Sequence, residues 1–169
     1  SNTNTISGNN ANSSRYGIDL LNSTGNLIGG NTCSSNRTDG IHLKTSHGNV
    51  LTGNTCSLNT NYGILLESSA GTTVSGNSAM NNKSTGMVVY ISNNTLVDGN
   101  TFVNCQREIA FGLEDVAQNE QTGGIIRNNF IYRDTWMGGD AGIILWDSPS
   151  ALVLHNSILI SGTYSNAIE

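Results

Sequence analysis

The four-residue stretch Val74-Ser75-Gly76-Asn77 is one copy of a motif that returns at a nearly constant interval along this chain. Each copy places an aliphatic residue three positions before an asparagine, and in the first five copies a glycine directly precedes that asparagine. The asparagines are 22, 23, 23, 23, 29 and 27 residues apart, at Asn9, Asn31, Asn54, Asn77, Asn100, Asn129 and Asn156. A repeat of this length indicates a chain built from stacked structural units.

A second motif keeps the same phase through four consecutive units. It consists of a glycine followed by a short apolar segment, and its glycines are 23 residues apart, at Gly17, Gly40, Gly63 and Gly86. Each unit contains two or three segments in which apolar and polar residues alternate, separated by Gly, Asn and Ser. Alternation with a period of two predicts β-strands, because successive side chains of a strand point to opposite faces.

The repeat length and the strand pattern together predict the fold class. A propeller blade needs about 40–45 residues, and the chain lacks the regular leucines of leucine-rich repeats. We therefore predict an all-β fold, a right-handed, single-stranded, three-faced parallel β-helix of about seven coils with 22–29 residues each. Residues 1–169 would form a single domain, and the incomplete repeats at both ends predict a segment of a longer chain or ends covered by a partner. The longer period after Asn100 predicts insertions near residues 112–123 and 133–140.

Equivalent positions of successive coils are expected to stack. One interior column would contain Ile18, Ile41, Ile64, Met87, Ile109 and Ile143, and its neighbour Leu20, Leu43, Leu66, Val89, Phe111 and Leu145. The motif asparagines would share one corner, where each amide bonds the amide one coil away and satisfies the polar groups of a buried turn. Cys33 and Cys56 would be interior neighbours within disulfide range, and we expect them to be reduced.

Composition excludes several classes of protein. Charged residues make up only 11% of the chain, too few for the polar surfaces of a helical bundle. A net charge of −5 with seven Lys and Arg residues argues against nucleic-acid binding. No apolar run approaches the ~18–20 residues of a membrane-spanning helix. The spacing of Cys and His does not match a zinc module, so no metal site is predicted.

Outward-facing positions of one strand face contain several chemically reactive side chains. One column, expected to be exposed, would contain Asp19, His42, Leu65, Val88, Ala110 and Ile144. The next would contain Leu21, Lys44, Glu67, Tyr90, Gly112 and Trp146. Five polar members should then cluster within roughly 5–10 Å on adjoining coils: Asp19, His42, Lys44, Glu67 and Tyr90. Such a cluster can supply acid–base chemistry; the alternative is a solvated face with a weak Lys44–Glu67 ion pair.

The repeated Gly-Ile-x-Leu and Gly-Asn segments resemble the parallel β-helix of pectate lyases, alginate lyases and mannuronan C5-epimerases. The similarity is greatest to the epimerases and to periplasmic β-helix repeat proteins. That family carries Tyr-Gly-Phe/Ile-Asp-Pro-His at its site, where the Tyr and His act as acid and base and the Asp supports them. Tyr16-Gly17-Ile18-Asp19 matches this motif, whereas Leu20-Leu21 replaces Pro-His. On the next coil Asp39-Gly40-Ile41 matches the family's Asp-Gly-Phe, but Lys44 replaces an acidic residue.

This resemblance implies an acidic polysaccharide as partner and removal of the proton at C5 of a uronic acid. Such a step needs a cation near the carboxylate and a base near the carbon. We expect Lys44 to supply the cation and His42 or Tyr16 the base, with Asp19 in support. We expect three residues to bind substrate: Glu67, Tyr90 and Trp146. Calcium is a candidate ion, with irregularly spaced oxygen ligands available from Glu114, Asp115, Asp134, Asp140 and Asp147.

A non-catalytic solenoid is the competing interpretation. It would be a structural or adhesive module of a fibre, tailspike or surface protein, or an accessory protein in metal-centre assembly. Leu21, which stands where the family has its histidine, favours this interpretation, whereas the grouping around His42 favours a lyase or C5-epimerase. Both interpretations place the protein outside the cytoplasm, in an extracellular or periplasmic location. The expected protein partners are further copies of the chain or flanking modules that cap the open ends.

Overall fold

The computed structural model describes residues 1–113, 121–134, 139–161 and 166–169. No helix occurs in these ranges, and hence none that is long and apolar enough to cross a membrane. In chain order the strands are β1 (Thr5–Ser7), β2 (Ile18–Leu21), β3 (Leu27–Gly29), β4 (Ile41–Lys44), β5 (Val50–Thr52), β6 (Ile64–Glu67), β7 (Thr73–Ser75), β8 (Ser78–Met80), β9 (Thr85–Tyr90), β10 (Leu96–Asp98), β11 (Thr101–Val103), β12 (Arg107–Phe111), β13 (Ile125–Arg127), β14 (Phe130–Arg133), β15 (Ala141–Leu145), β16 (Leu152–Leu154), β17 (Ser157–Ile160) and β18 (Asn166–Ile168).

The strands stack into three parallel sheets that the chain visits in turn. Sheet A has the order β1-β3-β5-β7-β10-β13-β16, sheet B has β8-β11-β14-β17, and sheet C has β2-β4-β6-β9-β12-β15-β18. The first coils cross the second face through isolated bridges, such as Thr32 to Thr55. The predicted all-β parallel β-helix is confirmed. Seven strands in sheets A and C enclose about six turns, slightly fewer than the seven coils predicted.

The two predicted interior columns are confirmed in sheet C. Ile41 pairs in register with Ile18 on one side and with Ile64 on the other, and the column continues through Met87, Ile109 and Ile143. Ile41, Ile64 and Met87 have no exposed surface. Burying an aliphatic side chain of this size stabilises a fold by roughly 1.5–3 kcal/mol. The repeat therefore converts a short apolar pattern into a continuous core.

The predicted asparagine ladder is also present. The Asn54 side chain accepts hydrogen bonds from the backbone N–H and the amide of Asn31, both at 3.0 Å. It donates to Asn77 Oδ1 and to the carbonyl of Ile28, both at 2.9 Å. The glycine before the asparagine, here Gly53, has a φ of 62°, a left-handed conformation that glycine adopts without steric cost. The ladder continues to Asn156, the last of the predicted column.

Further ladders line the other corners and were not predicted. One runs from Asn36 through Asn59 to Asn82, with amide-to-amide bonds of 3.1 and 3.0 Å. Another joins Asn4, Asn26 and Asn49. Serine hydroxyls form a fourth, in which each Oγ accepts the backbone N–H of the coil before, at Ser46, Ser69 and Ser92. In these ladders, the buried polar groups of one coil are satisfied by side chains of the next coil.

A glycine column marks a close approach between coils. A Cβ added to Gly63 would lie 2.5 Å from the carbonyl oxygen of Gly86, closer than atoms can pack. In the fifth coil this column holds Glu108, which is fully buried with Arg133, and their Oε1 and Nε atoms are 3.3 Å apart. Burial raises the pKa of Glu108 to about 7. The longer sequence period after Asn100 therefore coincides with a charged pair in the interior.

The expectation of an exposed column that starts at Asp19 is wrong for most of its members. Val88, Ala110 and Ile144 are each only 1% exposed although they point away from the interior columns. Arg107 and Trp146 flank this column on its two sides, and the guanidinium carbon of Arg107 lies 4.9 Å from the centre of the Trp146 ring. Their side chains therefore meet across the column and help to remove it from solvent. Alternation in the sequence predicts which face of a strand a side chain occupies, but it does not predict which other side chains cover that face.

The predictions about the cysteines and the insertions can be compared with the structure only in part. Cys33, Cys56 and Cys105 are free and buried, as expected for a reduced pair at the first two positions. The predicted insertions near residues 112–123 and 133–140 fall partly outside the described residues, so they stay a prediction.

Candidate functional site

The candidate site lies on the outward face of sheet C, where β2, β4 and β6 run side by side. Asp19 pairs in register with His42, and Lys44 pairs in register with Glu67. These strands form because Ile and Leu occupy alternate interior positions, which turns the residues between them outward. Successive strands are about 4.8 Å apart, so the stacking brings together the four predicted polar residues of the first three coils.

His42 is the centre of this group. Its Nδ1 lies 3.2 Å from Asp19 Oδ1 and its Nε2 lies 3.4 Å from Glu67 Oε2. The residue is only 7% exposed, and neither ring nitrogen makes a well-directed hydrogen bond in the described part of the chain. The expectation of an exposed histidine is therefore wrong. Two carboxylates on neighbouring coils flank the ring, one beside each of its nitrogens.

Lys44 forms the predicted ion pair with Glu67. Its Nζ lies 2.7 Å from Glu67 Oε1, and this hydrogen bond raises the pKa of Lys44. Glu67 thus contacts Lys44 with one oxygen and His42 with the other. Because both side chains are partly exposed to solvent, the pair contributes little to stability. More importantly, Glu67 already compensates the positive charge of Lys44, which was expected to neutralise the carboxylate of a substrate.

Tyr16 lies beside His42, and Arg15 lies beside Tyr16. The ring centroids of Tyr16 and His42 are 5.2 Å apart, and the ring planes are inclined by 36°. The guanidinium carbon of Arg15 lies 5.0 Å from the Tyr16 ring centre, within the range of a cation–π contact. The sequence predicted Tyr16 but gave no role to Arg15, although Arg15 directly precedes the matched motif.

Asp39 is a second residue of the site that the predicted set omitted. Its carboxylate accepts the backbone N–H of Tyr62 at 3.1 Å, and the residue is only 3% exposed. Burial raises the pKa of Asp39, while the Tyr62 hydrogen bond and the nearby His42 oppose that rise. Its place before Gly40, in the segment that resembles the epimerase family, was the available signal.

The remaining predicted residues lie further along the sheet. Tyr90 pairs in register with Glu67 and is half-buried at the edge of the group. Trp146 belongs to the same column two coils further on, where it contacts Arg107 instead of the His42 group. Arg107 in turn forms an ion pair with Asp140. Tyr90 therefore borders the site, whereas Trp146 is separate from it.

The fold and this cluster define a class of protein, a parallel β-helix with acidic, basic and aromatic side chains grouped on one sheet. Within that class the chain belongs to the NosD family, described as periplasmic copper-binding protein, whose model matches residues 1–166. No curated protein matches the sequence.

Solved structures share the fold at low sequence identity. A double mutant of the periplasmic alginate epimerase AlgG has a TM-score of 0.76 and 18% identity, over 99% of this chain and 44% of that protein. The A-module of the Azotobacter vinelandii mannuronan C-5 epimerase AlgE6 has a TM-score of 0.66 and 13% identity, over 99% of this chain and 57% of the module's chain. The Streptococcus pneumoniae surface protein and adhesin PfbA has a TM-score of 0.61 and 12% identity, over 99% and 67%. This chain spans less than half of the AlgG chain, and such identities show the fold alone.

The family description raises the question whether these residues fit copper. The described residues contain no group of three or more His, Cys, Asp or Glu side chains that could hold a metal ion. Copper favours thiolate, thioether and imidazole ligands, but Cys33 and Cys56 are fully buried, and the hydrogen bond with the Cys33 thiol, together with burial, raises the pKa of Cys56. The described residues therefore offer no cluster of His, Cys, Asp or Glu that fits a copper ion. Of the calcium candidates, Glu114 and Asp115 lie outside the described residues, so calcium stays a prediction.

Proposed function

We propose that the sheet C face around His42 binds a polysaccharide of uronic acids outside the cytoplasm and removes the proton at C5 of a bound sugar. The observation that carries the proposal is the position of His42, whose ring lies between two carboxylates and beside a tyrosine. The epimerases that share the fold support the choice of substrate class. The periplasmic description of the family supports the location.

The chemistry needs a group that accepts a proton and a group that returns one. Removal of the C5 proton leaves its electron pair delocalised into the adjoining carboxylate of the sugar. Return of a proton to the opposite face gives the C5 epimer, whereas expulsion of the oxygen substituent at C4 gives an unsaturated sugar. Tyr16 is partly exposed and can exchange a proton with the sugar, whereas both ring nitrogens of His42 are buried, so His42 would act through its neighbour Tyr16. Asp19 and Glu67 hold the imidazole from its two sides, which fixes its position for the transfer.

The experiment measures exchange and elimination together. The protein is incubated in D2O with polymannuronate or polygalacturonate while loss of the C5 proton is followed by NMR and unsaturated product by absorbance at 232 nm. We expect one of these signals with the natural protein and its loss in His42→Gln. His155→Gln, which changes an exposed histidine on another corner, is the matched control and should retain the signal. Silence of the folded natural protein in both assays would reject the catalytic step.

Binding is tested separately from catalysis. Affinity for each polymer is compared between the natural protein and a variant with Lys44→Ala and His42→Ala together. The proposal predicts weaker binding by the double variant. Equal affinities would remove this face as the binding site.

A second candidate function is a non-catalytic adhesive or structural solenoid. One observation favours it, because Leu21 is 58% exposed at the position where the resemblance implies a catalytic histidine. The adhesin PfbA also shares the fold. Binding without proton exchange or elimination would favour this function over an enzyme.

A further inference from the structure

Most of the basic side chains of this chain are compensated by an acidic partner. Four of its seven Lys and Arg residues form ion pairs, namely Lys44 with Glu67, Arg107 with Asp140, Arg127 with Asp98 and Arg133 with Glu108. The other three, Arg15, Arg37 and Lys83, are exposed and form no ion pair in the part of the chain that the structure describes. Their positions, rather than their number, are informative.

These three cations lie in one column. Arg37 donates its backbone N–H to the carbonyl of Ser14, the residue before Arg15. The same backbone bond continues over the next two coils. Thr60 donates its N–H to the carbonyl of Asn36, the residue before Arg37, and Lys83 donates its N–H to the carbonyl of Asn59, the residue before Thr60. In the order of the coils, the column therefore contains Arg15, Arg37, Thr60 and Lys83. At about 4.8 Å per coil, Arg15 and Arg37 are direct neighbours and Lys83 lies roughly 10 Å beyond Arg37.

The column borders the proposed site. Arg15 adjoins Tyr16, which contacts His42. The backbone ladder fixes the three positions on a rigid edge, so their charges add along one line parallel to the helix axis. Like charges stacked at this spacing repel one another, and an anionic polymer along the same line would relieve that repulsion.

We infer that the cationic column formed by Arg15, Arg37 and Lys83 binds the carboxylates of a uronate polysaccharide that runs along the helix axis. This inference rests on the function proposed for the His42 face and adds the direction of the polymer. It also assigns the neutralising charge to Arg15, because Glu67 already compensates Lys44. An Arg guanidinium can bind a carboxylate with two parallel hydrogen bonds. Three cations on a chain of net charge −5 are few for a nucleic acid, whose binders commonly neutralise several phosphates.

The test compares polymannuronate with a derivative whose carboxylates have been reduced to alcohols. Arg15→Gln, Arg37→Gln and Lys83→Gln should each weaken binding of polymannuronate about two- to fivefold, as expected for exposed ion pairs. The triple variant should lose about tenfold or more, and its binding should depend less on salt. Arg127→Gln, which removes one ion-paired, partly exposed charge from sheet A, is the control and should leave the affinity unchanged. The reduced polymer should bind weakly and equally to the natural protein and the triple variant.

Each outcome has a defined meaning. Equal affinity of the triple variant and the natural protein for polymannuronate would overturn the column while leaving the His42 face intact. A loss in the triple variant without a loss in the Lys44→Ala, His42→Ala variant would confirm the column and reject that face. Tighter binding of inorganic polyphosphate than of polymannuronate would overturn the assignment to a carboxylate polymer. Absence of binding by the natural protein would overturn both proposals.

Discussion

The ring of Tyr16 lies 5.2 Å from the ring of His42, measured between centroids, and the two residues belong to successive coils of the β-helix. Tyr16 precedes β2 and His42 lies within β4, so neither coil alone contains the pair. The stacking of coils therefore creates the site, and its parts can be changed without altering the core.

Tyr16→Phe should separate the chemistry of the site from its stability. The substitution keeps the ring beside His42 and removes only the hydroxyl. We expect the rate of C5 proton exchange to fall by about 10²–10⁴, the usual contribution of a general acid or base. The free energy of unfolding should change by no more than about 0.5 kcal/mol. Tyr62→Phe, one position along the same column beyond Asp39, should keep the exchange rate; equal losses in both variants would contradict the role of Tyr16.

Asn54→Ala should destabilise the fold strongly. The substitution removes bonds to the coil on each side and leaves the Ile28 carbonyl and the Asn31 backbone N–H without their side-chain partner. Buried groups left unsatisfied cost about 1–3 kcal/mol each, so a loss of roughly 3 kcal/mol or more is expected in chemical denaturation. Asn81→Ala, at an exposed position outside the ladders, should cost only about 1 kcal/mol, because its φ of 56° is left-handed. Similar values for the two variants would show that the ladder does not hold the coils.

Two glycines should respond differently to alanine. In Gly63→Ala the new Cβ would meet the Gly86 carbonyl at 2.5 Å, so adjoining coils must separate and a cost above about 2 kcal/mol is expected. Gly48→Ala has open space around the Cβ but a φ of 62°, and its cost should stay near 1 kcal/mol. The two costs are compared through the midpoints of chemical unfolding of the two variants. Equal midpoints would contradict the close approach of the coils.

The buried pair of Glu108 and Arg133 predicts a pH dependence of stability. The pKa of Glu108 is raised to about 7 in the folded protein, above the value of about 4.3 for an exposed glutamate. The folded state therefore binds more protons than the unfolded state between these values, so this carboxyl makes the protein less stable as pH rises from about 4 to about 7. Unfolding midpoints at pH 5 and pH 8 should differ less in Glu108→Gln than in the natural protein. An unchanged difference would show that Glu108 does not titrate in this range.

The sequence predicted the architecture well because the repeat is itself the structural unit. A constant interval between Asn31, Asn54 and Asn77 is also the interval between stacked corners, so one pattern predicts coil length, register and ladder. The ladder through Asn36, Asn59 and Asn82 has the same interval. It was missed because no glycine beside those residues marks a corner.

The site was less predictable than the core. Alternation places Asp19, His42 and Val88 on one face, but it does not show that His42 is covered by its neighbours or that Val88 is buried. Those outcomes depend on side chains from other coils that meet across the sheet, as Arg107 and Trp146 do. The pairing of Lys44 with Glu67 followed from register, whereas the three uncompensated cations appeared only when every ion pair was known.

The most direct measurement of the central claim is an NMR titration of the isotopically labelled protein with oligomannuronate. Binding along the His42 face and the adjoining cationic column predicts shifts of backbone amides confined to this surface, around residues 15–19, 37–44, 67 and 83. Shifts centred on sheet A, at Leu27–Gly29 and Val50–Thr52, or no shifts at any amide, would contradict it.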